Sequence, residues 1–516
     1  MGYLNTIHIM KRIIFSAAAF FAVVATYAQQ DLNTAADAVR YSSDNLTGTA
    51  RFRAMSGAFG AVGGDVSAMG VNPAGSAIFN YNSGTASGSS YNVNNSADYF
   101  GTKTVKNSNN FDLNQVGAVF VFSNAAEGAF MNKFTLGFNY ENTNSYYNKI
   151  DAQGTNPTNS IDRYFLRYAN GIGSEGGITL NTLNNAYYDE LSFIDQQAYL
   201  GYNAYIFNPV TQDDNNTAYT SNIPASGNYF QKNSLSTRGY NGKMALNFAT
   251  QLKQRFYLGA NINFHFTDYV KTTSFYEDTN NPSSTGLQAV RFNNERYTYG
   301  GGFSLNLGGI VKITEQLRAG IAYESPTWYR LQDEITQSIS SFCPECDANG
   351  SSDTVTTDPG ITFVFDNYTI KTPSKWTGSL AYVFGKNGLV SVDYSLKDYS
   401  KTEYRNARYQ AINTELTSSL TMAGELRIGA EYRIKKFSLR GGYRYMESPY
   451  KNGTTIGALT GYTGGLGFSF PASRLDLAYS WYQRKMDSPL LTAGFTDAAR
   501  VTTTNNNITL SYTIDL

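Results

Sequence analysis

Side chains able to carry chemistry are sparse in this chain. Its 516 residues include 2 cysteines and 2 histidines. The cysteines form Cys343-Pro344-Glu345-Cys346. A C-x-x-C spacing serves redox exchange at a helix start, or supplies half of a zinc site. Neither a helix start nor a second ligand pair accompanies it, so it reads as a local disulfide in an oxidising compartment. His265 lies in an alternating stretch and reads as a polar lumen residue rather than a metal or haem ligand. Arg427, Glu431, Arg440 and Arg444 fall out of phase with the apolar residues around them. Such charges suit two uses: a cavity that grips an anionic head group, or an internal ion-pair lattice. Gly57, Gly60 and Gly63 follow no strand, so they form no dinucleotide fingerprint. With no nucleophile–base pair, paired carboxylates or phosphate loop, the reading is a non-enzyme without cofactor or metal. Lys+Arg and Asp+Glu balance at 40 each, which argues against a nucleic-acid partner.

The elements that position these residues are strands. Residues 1–28 read as a signal peptide: Met10-Lys11-Arg12 is basic, Ile13–Ala25 apolar, and Ala28 small. The rest has no second long apolar run. It holds 40 Tyr, 32 Phe and 47 Gly, and it alternates. Phe256, Leu258, Ala260, Ile262, Phe264 and Phe266 face one way; Tyr257, Gly259, Asn261, Asn263 and His265 face the other. Fourteen such stretches follow residue 80, from Tyr81–Val93 to a last strand ending at Leu516. Short links such as Gly385–Gly388 and Lys435-Lys436 alternate with long ones such as Asn94–Asp112 and Asn148–Arg238. Long period-2 runs, an even count and alternating link lengths predict a closed antiparallel transmembrane β-barrel. Tyr pairs such as Tyr146-Tyr147 suit the aromatic girdles.

One stretch stands apart. Thr49–Phe79 is rich in Gly and Ala, carries few charges and closes on Asn72-Pro73-Ala74-Gly75. It lacks strand alternation. A barrel of this size has a lumen wide enough to need filling. Residues 29–80 are therefore expected to form a hatch inside a barrel of residues 81–516. Its gating residues are expected at Asn72, Pro73, Ala74 and Gly75, with Phe59 and Phe79 as its bulky members.

Several segments carry a resemblance. Arg40-Tyr41-Ser42, Gly48-Thr49-Ala50-Arg51, Met55–Asp65 (MSGAFGAVGGD) and Val71-Asn72-Pro73-Ala74-Gly75 come first. Tyr323–Tyr329 (YESPTWY), Gly388–Tyr394 (GLVSVDY) and Leu426–Arg433 (LRIGAEYR) follow. In this order the chain resembles the FadL/TodX outer-membrane transport proteins, a family for long-chain fatty acids and aromatic hydrocarbons. The resemblance implies a fourteen-stranded barrel in the outer membrane of a Gram-negative bacterium. It also implies a hatch that includes Asn72–Ala74, and passive uptake of a hydrophobic small molecule with lateral exit through the wall. A monomer among outer-membrane lipids is expected. Relatives labelled haemin receptors, and a branch acting as a secretion shuttle, supply the alternatives. The chain departs from the family in its long 148–238 link and its terminal Leu516.

Overall fold

The computed structural model describes residues 34–516 apart from 125, 127, 128, 173–175, 284, 285, 345, 347–352, 496 and 516. The expected signal peptide lies outside the described residues. Where the sequence alternates, the chain is strand, and each strand pairs antiparallel with the next. The first seven are β1 (Ser83–Tyr99), β2 (Thr102–Ser123), β3 (Met131–Ser145), β4 (Tyr229–Leu252), β5 (Phe256–Asp278), β6 (Ala289–Lys312) and β7 (Leu317–Glu324, resumed as Trp328–Phe342). The others are β8 (Tyr368–Lys371, resumed as Lys375–Phe384), β9 (Gly388–Asp398), β10 (Met422–Ile434), β11 (Phe437–Met446), β12 (Ile456–Ser469), β13 (Ser473–Pro489) and β14 (Ala498–Asp515). Ser83 pairs with Asp515, so β14 returns to β1 and the 14-strand barrel is closed. Closure leaves no unpaired edge, which a lipid-facing sheet requires.

The outward file is apolar and exposed, as at Leu258, Leu305, Ile321, Leu380 and Leu510. The inward file is polar and buried: Asn261, Asn306, Ser391 and Thr509 hold those places on β5, β6, β9 and β14. β4 and β6 each have 24 residues. A membrane crossing takes about 9–11, so the upper halves of the long strands project beyond the bilayer.

A belt of irregularities divides the two halves. The ladders shift at Ser87/Ser89 in β1 and at Asn142/Asn144 in β3. Gly239 and Gly300 adopt positive φ in β4 and β6. β7 breaks around Pro326 and β8 around Pro373, side by side, because proline cannot donate to a ladder. The break is stitched by Thr372 N–H to the Thr327 carbonyl at 3.0 Å and Thr327 N–H to Thr372 Oγ1 at 2.9 Å.

Three sequence expectations need correction. Asn94–Asp112 was expected to be a long loop, but it is the continuation of β1 and β2, turning at Phe100-Gly101, both with positive φ. Its Asn, Ser and Lys residues are polar on both faces, so the period-2 signal vanishes above the membrane. The 148–238 link is not open loop either. Three helices, α1 (Asp162–Ala169), α2 (Leu180–Asn185) and α3 (Phe193–Asn203), build a lid core around Phe165 and Phe207. That core rests on Phe275 of β5 and Phe292 of β6, inside the projecting wall. Tyr146 belongs to the interior as well: it is buried against Tyr269 rather than in a girdle.

Replacing Leu305 of the lipid face by Arg should cost up to about 2–4 kcal/mol, the penalty of a cation near the bilayer midplane. Heat-modifiable mobility on electrophoresis should show a reduced folded fraction. Asn263→Ser on the lumen face should leave it unchanged.

Candidate functional site in the barrel lumen

Residues 34–82 lie inside the barrel, as their partners show. They bond inward side chains of β1 to β12 and of β14, which surround them. A helix at Ala35–Ser42 is capped by Thr34 and Asp37 in a capping box. A short helix at Ala50–Ala54 is capped by Thr49. After it the chain makes only turns and two 3-10 pieces, Ser67–Gly70 and Pro73–Ile78. Such a path leaves many backbone groups without a ladder partner, and burial makes each unmet group costly. The wall meets them with amides. Asn247 Nδ2 donates to the Pro73 carbonyl at 2.9 Å, and Asn261 Nδ2 to the Met69 carbonyl at 2.8 Å. Ser511 Oγ accepts from Ala50 N–H at 2.6 Å, and Asp393 Oδ2 from Gly60 N–H at 2.9 Å.

Asn72 is the joint between segment and wall. Its Oδ1 accepts from Ala74 N–H at 3.1 Å, capping the 3-10 turn that Pro73 starts. Its Nδ2 donates to the Gly60 carbonyl at 2.7 Å and to the Gly309 carbonyl of β6 at 3.1 Å. The wall opposite is glycine because nothing else fits. A Cβ on Gly308 would lie 2.0 Å from Asn72 Oδ1, and one on Gly259 2.4 Å from the Pro73 carbonyl carbon. Gly320 is as tight against the Gly60 carbonyl, at 2.3 Å. Of the other expected hatch residues, Ala74 and Gly75 are buried in this turn. Phe59 is fully buried against Phe52 and under the Arg51 guanidinium. Phe79, half-buried, ends the segment near Lys133, whose ammonium reaches its carbonyl.

Charged side chains form two groups. Near the short-turn end, Glu431 takes Arg51 of the segment at 2.8 Å and Arg440 at 2.7 Å; Arg440 continues to Asp476 at 2.8 Å. Higher up, Glu425 holds Arg427 at 2.7 Å and Arg444 at 2.5 Å, and Arg444 also donates to the Asp44 carbonyl at 2.8 Å. Asp44 in turn binds Lys397 at 2.9 Å and Lys375 at 3.1 Å. The four expected lumen charges, Arg427, Glu431, Arg440 and Arg444, are thus all buried in ion pairs, and two of their networks reach the segment. His265 is buried too, with Nε2 2.9 Å from Ser304 Oγ and Nδ1 3.3 Å from the Tyr329 hydroxyl. Cys343 and Cys346 are joined by a disulfide, far from the lumen charges, beside the lid core.

Sequence reasoning missed Asp37 and Lys243. Asp37 binds Arg296 of β6 at 2.5 Å and Arg40 at 2.7 Å, and Arg40 stacks on Tyr269 at 3.8 Å. Burial alone would raise the Asp37 carboxyl, but Arg296 and Arg40 outweigh it and hold it far below the usual carboxylate range. A lowered folded value means that the stabilisation is present above the unfolded value and lost only in strong acid. Lys243 borders a cavity of about 100 Å³ above the segment and makes no ion pair or hydrogen bond among the described residues. Asp44, His265, Glu324 and Arg427 line the same cavity. Nothing in the local pattern separates a free lysine from a paired one; only the fold does.

Neither a family profile nor a curated protein sequence matches the chain. Solved structures do. The crystal structure of a Pseudomonas aeruginosa FadL homologue aligns at 12% identity and TM-score 0.50, over 92% of this chain and 99% of that one. The fold is that of the FadL-type channels. Further matches are the Pseudomonas putida toluene transporter TodX (13% identity, TM-score 0.48, 92% of this chain and 100% of that one) and the Ralstonia pickettii toluene transporter TbuX (14%, 0.46, 92% and 99%). Within this FadL-type barrel the tight wall glycines yield the next test. Gly308→Val should push Asn72 off the wall and raise single-channel conductance in planar bilayers. Gly378→Ala, with open space around its Cβ, should leave conductance at the wild-type level.

Proposed function

We propose that the chain is an outer-membrane channel for passive uptake of a hydrophobic small molecule, with residues 34–80 as its gate. The observation that carries this reading is how the lumen is filled. The segment closes the tube, yet it is held by side-chain amides, close glycine contacts and ion pairs rather than by a β-ladder. A plug held in this way moves without unzipping the wall. Glu431 keeps Arg440 and Arg433 as partners when Arg51 leaves. Release there costs less than the ~3–5 kcal/mol of stranding a buried charge.

The cavity favours a fatty-acid-like amphiphile over a plain hydrocarbon. Of its other charges, Asp44 is paired by Lys375 and Lys397, Glu324 by Lys375 at 2.9 Å and Arg427 by Glu425, while Glu141 accepts hydrogen bonds from Thr47 and Asn139. Lys243 makes no ion pair among the described residues and stands opposite Glu141 in the β3–β4 ladder at the cavity wall; it is the cation placed to take a carboxylate. A charge-assisted hydrogen bond of this kind contributes about 1.5–3 kcal/mol. The wall between β2 and β3 supports a lateral path for the tail. The β2–β3 ladder stops at Gln115/Glu141. Above it β2 is held by side chains, to β3 through Asn142 and Asp112, and to the separate strand Asn148–Asn156 through Lys106 and Asp151 at 2.9 Å. No observation favours haem, since both ring nitrogens of His265 are engaged.

Lys243→Ala should weaken binding of a long-chain carboxylate to the purified protein roughly tenfold, read by displacement of a fluorescent acyl probe. A long-chain alcohol should bind equally to both forms. Equal loss for the two ligands would point to a collapsed cavity and refute a head-group role. Deleting residues 34–80 should give a folded barrel with a large, constantly open conductance. A folded deletion that conducts no better than wild type would end the gate reading.

A further inference from the structure

A polar recess on the outside of the wall has no part in the lumen. It holds about 740 Å³ and is crossed by β2, β3, β4, β5, β6 and β7 just above the apolar band. Each strand brings to it the continuation of its own lipid-facing file. On β5, Phe264 and Phe266 are followed by Asp268; on β4, Leu246 and Met244 lead to Tyr240 and Arg238. On β6, Leu305 and Phe303 lead to Tyr297, and on β7, Glu334 stands opposite Tyr297. An acyl chain lying on the apolar band therefore runs directly into this recess.

The lining has the chemistry of sugar recognition. Tyr rings present flat apolar faces with polar rims. Carboxylates and amides accept from hydroxyls. Tyr240 and Tyr147 are 40% and 46% exposed. Tyr297 donates to Asp268 at 3.1 Å and Tyr140 to Asn142 at 2.9 Å, which fixes both rings. Arg238, the one cation of the recess, makes no ion pair or hydrogen bond among the described residues. Four carboxylates, Asp112, Asp268, Glu295 and Glu334, against the one guanidinium fit a head group rich in hydroxyl donors, with a single acidic substituent seated on Arg238. They do not fit a polyanion.

We propose that this recess binds the saccharide head of an outer-leaflet glycolipid, its acyl chains lying on Phe264, Phe266 and Phe303 and its acidic substituent on Arg238. The site shares no lining residue with the cavity at Lys243, although Asp112 and Asn142 border both the recess and the lateral path, and it stands whether or not that cavity carries a fatty acid. The test is native mass spectrometry of the full-length protein, extracted from its own membrane in mild detergent. One glycolipid per barrel is expected. Occupancy should fall at least fivefold in Arg238→Gln and at least tenfold in Tyr240→Ala/Tyr297→Ala, with heat-modifiable mobility retained. If the tyrosine pair fails to fold, Arg238→Gln alone decides. Absence of glycolipid, retention of phospholipid only, or unchanged occupancy in a folded variant would overturn the proposal. Displacement of the lipid by its soluble deacylated saccharide at equal concentration would overturn the lipid assignment in favour of a free oligosaccharide.

Discussion

The structure depends on satisfying irregular backbone inside a tube. Sheet hydrogen bonds are spent on the wall, strand to strand around the closed circle. Whatever fills the lumen must find partners for its own peptide groups in a space that admits little water. Here the wall supplies Asn247, Asn261, Ser511 and Asp393 as substitutes for a ladder. Where even a side chain would be too thick, it supplies glycine. The inner face of the barrel is therefore read less by hydrophobicity than by matching: an amide for each carbonyl, a bare Cα for each close approach.

This matching explains the two charge layers. Ion pairs between wall and segment are laid around the same inner surface, and each anion is shared among several cations. Sharing limits what is lost when one partner withdraws, so Arg51 can leave Glu431 without stranding it. A single isolated pair in the same place would act as a lock. In the gate proposed above, the network serves as a detent: firm enough to set the resting position, weak enough to be crossed.

Much of the barrel was legible because the lipid face imposes a period that nothing else in the chain shares. Phe256 through Phe266 announce both the strand and its inward partners, including His265. Asn72-Pro73-Ala74 was legible for a different reason, since proline after a capping residue has few conformations open to it. The upper structure was not legible. Above the bilayer both faces of a strand meet water or polar packing, so Asn94–Asp112 reads as loop although it is ladder. The lid helices between Asp162 and Asn203 are short and carry mixed residues, and their burial against Phe275 and Phe292 is a tertiary fact. Lys243 shows the same limit at the scale of one side chain. Its register was readable, but its lack of a partner depends on residues from six different strands.

The paired proline breaks in β7 and β8 have a consequence for how such a protein changes over time. Pro326 and Pro373 interrupt neighbouring strands at one height, and the joint between them rests on two hydrogen bonds, not on continuous pairing. Length changes or new sequence in the projecting half meet this joint before they reach the membrane-embedded half. The exposed portion can thus change in length while register below the joint stays where lipid and the lumen segment require it.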